Sequence, residues 1–180
     1  MRLMTVAALA LTLGLFNGAN ADDLKSGNTD RIGGAFQVKA ITGEKAGTSL
    51  CYVCKFNGEQ RPGVVLIFTQ KADENLVKVV KAVDEVQKGN EKLGTVVVGV
   101  GGVAAADLEK LQTTHKLTTP LTVAEDKDGP GAYKLNKDAA LTVLVYSKGG
   151  KIAKNFAFKD SKEAAEKAAD IAAAAKEIVK

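Results

Sequence analysis

Two cysteines stand at C-x-x-C spacing, Cys51 and Cys54, and they are the only two in the 180-residue chain. Such a pair can close a small disulfide ring, remain a dithiol, or supply half of a metal site. As a redox pair it needs one thiol of lowered pKa. Lys55 is the one positive charge beside it in sequence, and the following Phe56, Asn57, Gly58 and Glu59, with Pro62, argue against a long helix. Little help from a helix dipole is therefore expected. As a structural bridge the pair closes a short loop and gains little chain-entropy stabilisation. As a metal site it lacks partners, because a closed zinc site takes four ligands and the chain has one histidine, His115. No metal and no cofactor are expected. The redox and structural readings both stay open at this stage.

Other candidate residues are weaker. His115 falls near a helix end, where a surface position favoured by the dipole competes with a role as base for the thiols. Tyr52 between the cysteines reads as a packing or rim residue. Gly99, Gly101 and Gly102 follow a strand but lack G-x-G-x-x-G spacing and the acid expected downstream, so they read as strand-end backbone geometry. Gly129, Pro130 and Gly131 form a turn. A Ser/His/Asp triad has no support.

The elements around the cysteines follow from pattern. Residues 1–21 have the three parts of an export signal: Arg2, an apolar stretch over 4–16 too short to span a bilayer comfortably, and an Ala-x-Ala ending at Ala21. The expectation is an exported protein, periplasmic or extracellular, with no membrane span in the mature chain. In an oxidising compartment a cysteine pair tends toward the disulfide. Residues 22–34 read as a loose, flexible arm, and 35–180 as one domain. The formal net charge is +4, and lysines alternate with acids along the putative helices. No basic run is interleaved with aromatics, so no nucleic-acid partner is expected.

Within the domain, 35–42 alternates apolar and polar residues with Phe36, Val38 and Ala40 on one side, as a half-buried strand does. Segment 56–63 reads as a turn-rich connection. The β-branched run 63–69 reads as a buried central strand. Leu76, Val79, Val80, Val83 and Val86 give helical spacing over 72–88. A second buried strand covers 94–100, a shorter helix 104–116, a short strand 118–124 and one helical turn 132–137. Segments 140–146 and 151–158 form a hairpin through a Gly-Gly turn. Segment 160–180 reads as one alanine-rich helix with Asp160 and Glu163 at its start and i,i+4 pairs Lys162–Glu166 and Glu163–Lys167.

This order resembles the thioredoxin fold, and within it the redoxin branch that includes peroxiredoxins and membrane-tethered thiol reductases. The opening strand at 36–43, the central strand at 63–69 and the hairpin at 141–152 carry the resemblance, which covers about 35–180. It implies an α/β three-layer fold: a central mixed sheet, helices on both faces, and a C-terminal hairpin plus helix. It also implies thiol–disulfide exchange, with protein thiols or disulfides as partners. The chain departs from the family in two respects. The family's reactive cysteine follows the central strand, where this chain has Thr69, Gln70, Lys71, Ala72 and Asp73. The proline expected before the penultimate strand is also missing near Leu141, and Pro120 lies one strand too early. The C-x-x-C is relocated upstream. Peroxide turnover is accordingly not expected, and a non-catalytic binding or structural module with a local disulfide is the competing reading.

Overall fold

The run Gly63–Thr69 is buried at every residue, as expected of a strand covered on both faces. In the computed structural model, which describes residues 24–180, it is β3 of a seven-stranded sheet. The proposed export signal over 1–21 lies outside the described residues. The elements run β1 (Val38–Ala40), β2 (Ser49–Leu50), α1 (Tyr52–Gly58), β3, α2 (Glu74–Gly89), β4 (Leu93–Gly99), α3 (Ala105–His115), β5 (Leu121–Ala124), a 3-10 turn (Gly131–Tyr133), β6 (Leu141–Ser147), β7 (Ile152–Phe158), α4 (Ser161–Glu166) and α5 (Ala168–Glu177). The strand order is β2-β1-β5-β4-β3-β6-β7. β3 and β5 flank β4 in parallel, and the outer pairings are antiparallel.

Side-chain alternation along the strands divides the core in two. Val65 and Ile67 face a cluster built with Leu76, Val79, Val80 and Val83 of α2, Leu108 of α3 and Ile171 of α5. Val64, Leu66 and Phe68 face the opposite side, where Tyr52 and Phe56 of α1, Tyr133, Phe36 and the arm residue Ile32 pack. The fold is therefore the expected three layers, unequally filled: α2 to α5 on one face, α1 and irregular chain on the other.

α2 begins where the sequence places an acid. Asp73 is its cap, accepting from the N–H groups of Asn75 and Leu76, both at 3.0 Å. Asp84, inside α2, is a buried carboxylate that the apolar spacing does not reveal. It accepts from the N–H of Thr118 (2.9 Å), the N–H of Thr119 (3.0 Å) and the Thr119 hydroxyl (2.6 Å). Three donors satisfy the carboxylate and fasten the entry to β5 onto the helix.

Four expectations are corrected. Segment 56–63 is not all turn, since α1 runs on through Gly58. Phe56 holds it there, buried four residues after buried Tyr52, so that both rings lie on one helical face against the sheet. The C-terminal helix is two helices. Lys167 leaves helical geometry (φ −96°, ψ 9°), and its N–H serves the carbonyls of both Glu163 and Ala164. Lys167 then pairs with Asp170 at 3.2 Å, and neither anticipated i,i+4 pair is present. Asp160 does cap α4 through the Lys162 N–H at 2.7 Å. The helical turn placed at 132–137 is the 3-10 turn three residues long.

From Leu24 on, the segment expected as a loose arm is fastened along β6 and β7. Ser26 is buried with its hydroxyl 2.6 Å from that of Thr142. Asn155 donates to the carbonyls of Ser26 and Asn28. Ile32 N–H donates to Gly150, and Ile152 N–H to Asp30. Paired backbone groups of this kind hold a segment that composition alone describes as loose.

Candidate redox site

Cys51 and Cys54 are joined as a disulfide at the amino end of α1, their Cα atoms 5.3 Å apart. Cys51 is the N-cap, in extended conformation (φ −103°, ψ 107°). Its Sγ accepts the Cys54 N–H at 3.0 Å, and its carbonyl accepts the Lys55 N–H at 3.0 Å. The sulfur takes the part that a Ser or Asp side chain plays in an ordinary cap. Inward, Tyr52 and Phe56 anchor the helix, their ring centroids 5.6 Å apart. Phe56 can sit this close to the sheet because Gly94 on β4 lies beneath it; a Cβ there would come within 3.0 Å of the ring. Tyr52 is thus the packing residue expected. Cys54 is exposed, and Cys51 is half-buried.

The helix is short, as foreseen, but the dipole acts chiefly through the unpaired N–H groups of the first turn, and one of these points at Cys51. When the bond is reduced, that donor favours a Cys51 thiolate. The Lys55 charge is less available than its sequence position suggests. Its ammonium pairs with Glu59, one turn on. Glu59 also takes Arg61 Nε at 2.7 Å, and a second Arg61 nitrogen donates to the Glu91 carbonyl. The hydrogen bond from Lys55 holds Glu59 below the usual carboxylate range, with Arg61 adding to the effect and burial opposing it.

Behind β3, where the resemblance would place a reactive cysteine, the chain is closed by polar contacts. Gln70 Nε2 donates to the carbonyls of Lys137 and Ala139, both at 2.8 Å, and the Gln70 N–H donates to Ala140 at 2.9 Å. Thr69 Oγ1 donates to the Lys71 carbonyl at 2.6 Å. Asp73, already the cap of α2, also receives the Ser161 hydroxyl at 2.7 Å.

His115 is not with the cysteines. It ends α3, which packs with α2 on the face of the sheet opposite α1, and its Nε2 lies 2.9 Å from Glu74 Oε1 at the start of α2. The sheet between them removes it as base for the thiols. The glycines after β4 are backbone geometry: Gly101 and Gly102 have φ of 68° and 89°, and the Gly101 N–H donates to Lys127 at 2.7 Å, so it is not free to cradle a phosphate. Gly129 turns with φ of 85° into the 3-10 segment. Among the described residues no group of three or more His, Cys, Asp or Glu is placed to hold a metal, and no described helix is long and apolar enough to cross a membrane.

One feature has no local signature in sequence. A groove of about 350 Å³ opens beside α1, between Cys54 and Phe56 on one side and Arg31, Ile32 and Lys148 on the other. Its walls meet because Arg31 bridges Lys151 across the β6–β7 turn, a pairing 120 residues apart that no short-range pattern announces.

No protein-family model matches the sequence, and no curated protein matches it. Solved structures do match in fold. Peroxiredoxin Q of Xanthomonas campestris superposes with a TM-score of 0.58 at 14% identity, over 80% of this chain and 91% of that one. Peroxidoxin BcpB of Mycobacterium tuberculosis gives 0.55 at 18% identity, over 84% and 97%. A secreted thiol-disulfide isomerase of Corynebacterium glutamicum gives 0.55 at 11% identity, over 78% and 84%. The chain has a thioredoxin-like fold, with its C-x-x-C carried on the helix before the central strand.

Proposed function

We propose that this is an exported thiol–disulfide exchange protein, periplasmic or extracellular, in which Cys51 and Cys54 are the reacting pair and protein thiols or disulfides are the partners. Residues 1–21 would be the export signal, 22–34 an arm and 35–180 the working domain. The observation that carries the reading is the disulfide itself: it sits on a helix N-terminus, with the Cys54 N–H directed at Cys51 Sγ and Cys54 open to solvent. A buried bridge under a loop would offer neither a stabilised thiolate nor access. The thioredoxin-like fold supports it, as does the sequence pattern over 1–21 that ends in Ala-x-Ala. Exchange converts the bridge to a dithiol while a partner dithiol becomes a disulfide, two electrons passing between them.

Insulin reduction, or exchange with a disulfide substrate, tests the reading on the oxidised and reduced protein, with Cys51→Ser as control. A rate no greater than that of a free dithiol would sink it. The closed end of β3, with Gln70 tied to Lys137 and Ala139, favours a second reading: a binding or structural module whose bridge is inert. The reduction potential separates the two. A value near about −200 mV or above marks an exchanging pair, and one well below about −300 mV marks a resistant structural bridge.

A further inference from the structure

The groove beside α1 lies against Cys54 and leaves Cys51 outside its lining. Its floor is apolar, with Phe56, Val64 and Tyr146 all buried. Its rim is cationic, with Arg31 and Lys148 exposed and Arg61 half-buried. No Asp or Glu lines it. Among the described residues neither Arg31 nor Lys148 is in an ion pair. Arg31 spends one nitrogen on the Gly149 carbonyl at 2.6 Å, which fixes the guanidinium at the rim. Arg61 is neutralised in part by Glu59, the acid it shares with Lys55.

Resting on the exchange reading above, we propose that this groove binds a compound whose sulfur is flanked by carboxylates, and that it delivers that sulfur to Cys54 rather than to Cys51. An apolar floor seats the body of such a ligand, and the two unpaired cations meet its carboxylates. Access and leaving-group quality agree on the sulfur. In exchange, the exposed sulfur is attacked, and the thiol of lower pKa leaves faster. Here Cys54 is exposed, while Cys51 receives the N–H donor that stabilises it as a thiolate. This inverts the usual order, in which the N-terminal cysteine of the pair forms the mixed disulfide.

A substrate thiolate attacks Cys54 Sγ, the Cys51–Cys54 bond breaks, and its electron pair departs on Cys51. The substrate is then joined to Cys54 as a mixed disulfide. A second substrate thiolate attacks the substrate sulfur of that bond and expels Cys54 as a thiolate. One substrate disulfide is formed, the protein pair gains two electrons, and the two protons from the substrate thiols end on the protein thiolates or in solvent. Run backwards, Cys54 opens a substrate disulfide and Cys51 resolves it.

Two probes of opposite character test this: oxidised glutathione, which carries carboxylates, and hydroxyethyl disulfide, which carries none. With the reduced protein, oxidised glutathione is expected to react about tenfold faster than hydroxyethyl disulfide after correction for their intrinsic reactivity, and added salt should erase the advantage. Lys148→Glu and Arg31→Glu, which keep both cysteines, should remove it. Acid-quenched during attack by reduced glutathione, the oxidised wild-type protein should be trapped as a mixed disulfide on Cys54 faster than on Cys51. An acidic cysteine peptide as a third probe identifies the source: an advantage shared with it points to protein segments, and one confined to glutathione points to a small thiol. Equal rates for charged and uncharged probes, unmoved by Lys148→Glu, overturn the groove while the exchange reading stands. Faster trapping on Cys51 overturns the assignment of the sulfur. No rate above a free dithiol with any probe removes the exchange reading and this inference together.

Discussion

Gln70 Nε2 lies 2.8 Å from the Ala139 carbonyl, across the end of β3 that faces the entry to β6. The contact closes that end of the strand with a fixed pair of hydrogen bonds, the second to Lys137. Gln70→Ala should therefore cost about 1–2 kcal/mol, measured by urea unfolding, because two carbonyls lose their donor at a partly buried site. The rate of exchange at Cys51 and Cys54 should not change, since α1 lies elsewhere on the sheet. A fall in that rate equal to the change in wild-type activity on Cys51→Ser would show that the two ends of β3 act together.

Cys51 serves as a cap as well as a sulfur. Removing the bridge closes no long loop, so its contribution to stability is at most about 2 kcal/mol. Cys51→Ser retains an oxygen that can accept the Cys54 N–H, whereas Cys51→Ala does not. The alanine variant should be less stable than the serine variant by about 1 kcal/mol. Both variants should lose turnover. Equal stability of the two, measured by denaturant unfolding, would argue that the contact from Cys54 to Cys51 contributes nothing to holding α1.

Gly94 sets how closely α1 approaches the sheet. Gly94→Ala pushes a methyl group against the Phe56 ring and should cost about 1–3 kcal/mol as overpacking. The helix that carries both sulfurs must shift, so the reactivity of the pair should change as well. Gly58→Ala is the matching control. A Cβ at Gly58 meets nothing within 4 Å, so that variant should be neutral or more stable by up to about 1 kcal/mol.

The tyrosines give the protein an alkaline limit. Burial raises the pKa of Tyr133 and of Tyr146 far above the ordinary 10.0. Burial, with Glu44 adding, raises that of Tyr52 too. Folded tyrosines stay protonated where unfolded ones would ionise, so the unfolded state binds fewer protons above about pH 10. The contribution is complete below that pH and is lost as pH rises toward the folded values. Phenolate absorbance should stay low near pH 10 and appear together with unfolding at higher pH. Normal titration near pH 10 in the folded protein would contradict the burial of these rings. Tyr133→Phe, which deletes the 2.7 Å hydrogen bond to the Gly34 carbonyl, should cost about 1 kcal/mol at neutral pH.

Sequence by itself determined the sheet and its helices wherever a period was long enough to show. The run 63–69, the alternation of Phe36, Val38 and Ala40, and the spacing of Leu76, Val79, Val80 and Val83 are local signatures of burial, and burial is what the fold needs from them. It also located the cysteines upstream of the central strand, since order along the chain requires no coordinates. Tertiary structure decided the rest. α1 is too short to announce itself and forms because Tyr52 and Phe56 find the sheet and Gly94 makes room. Asp84 looks like a surface acid until Thr118 and Thr119 are folded onto it. The arm looks loose until β6 and β7 supply its hydrogen bonds. The groove beside Cys54 joins residues between 31 and 64 to residues 146–150. In each case the deciding partner is far away in sequence, and a periodic pattern carries no information about which distant segment will arrive to satisfy a buried group.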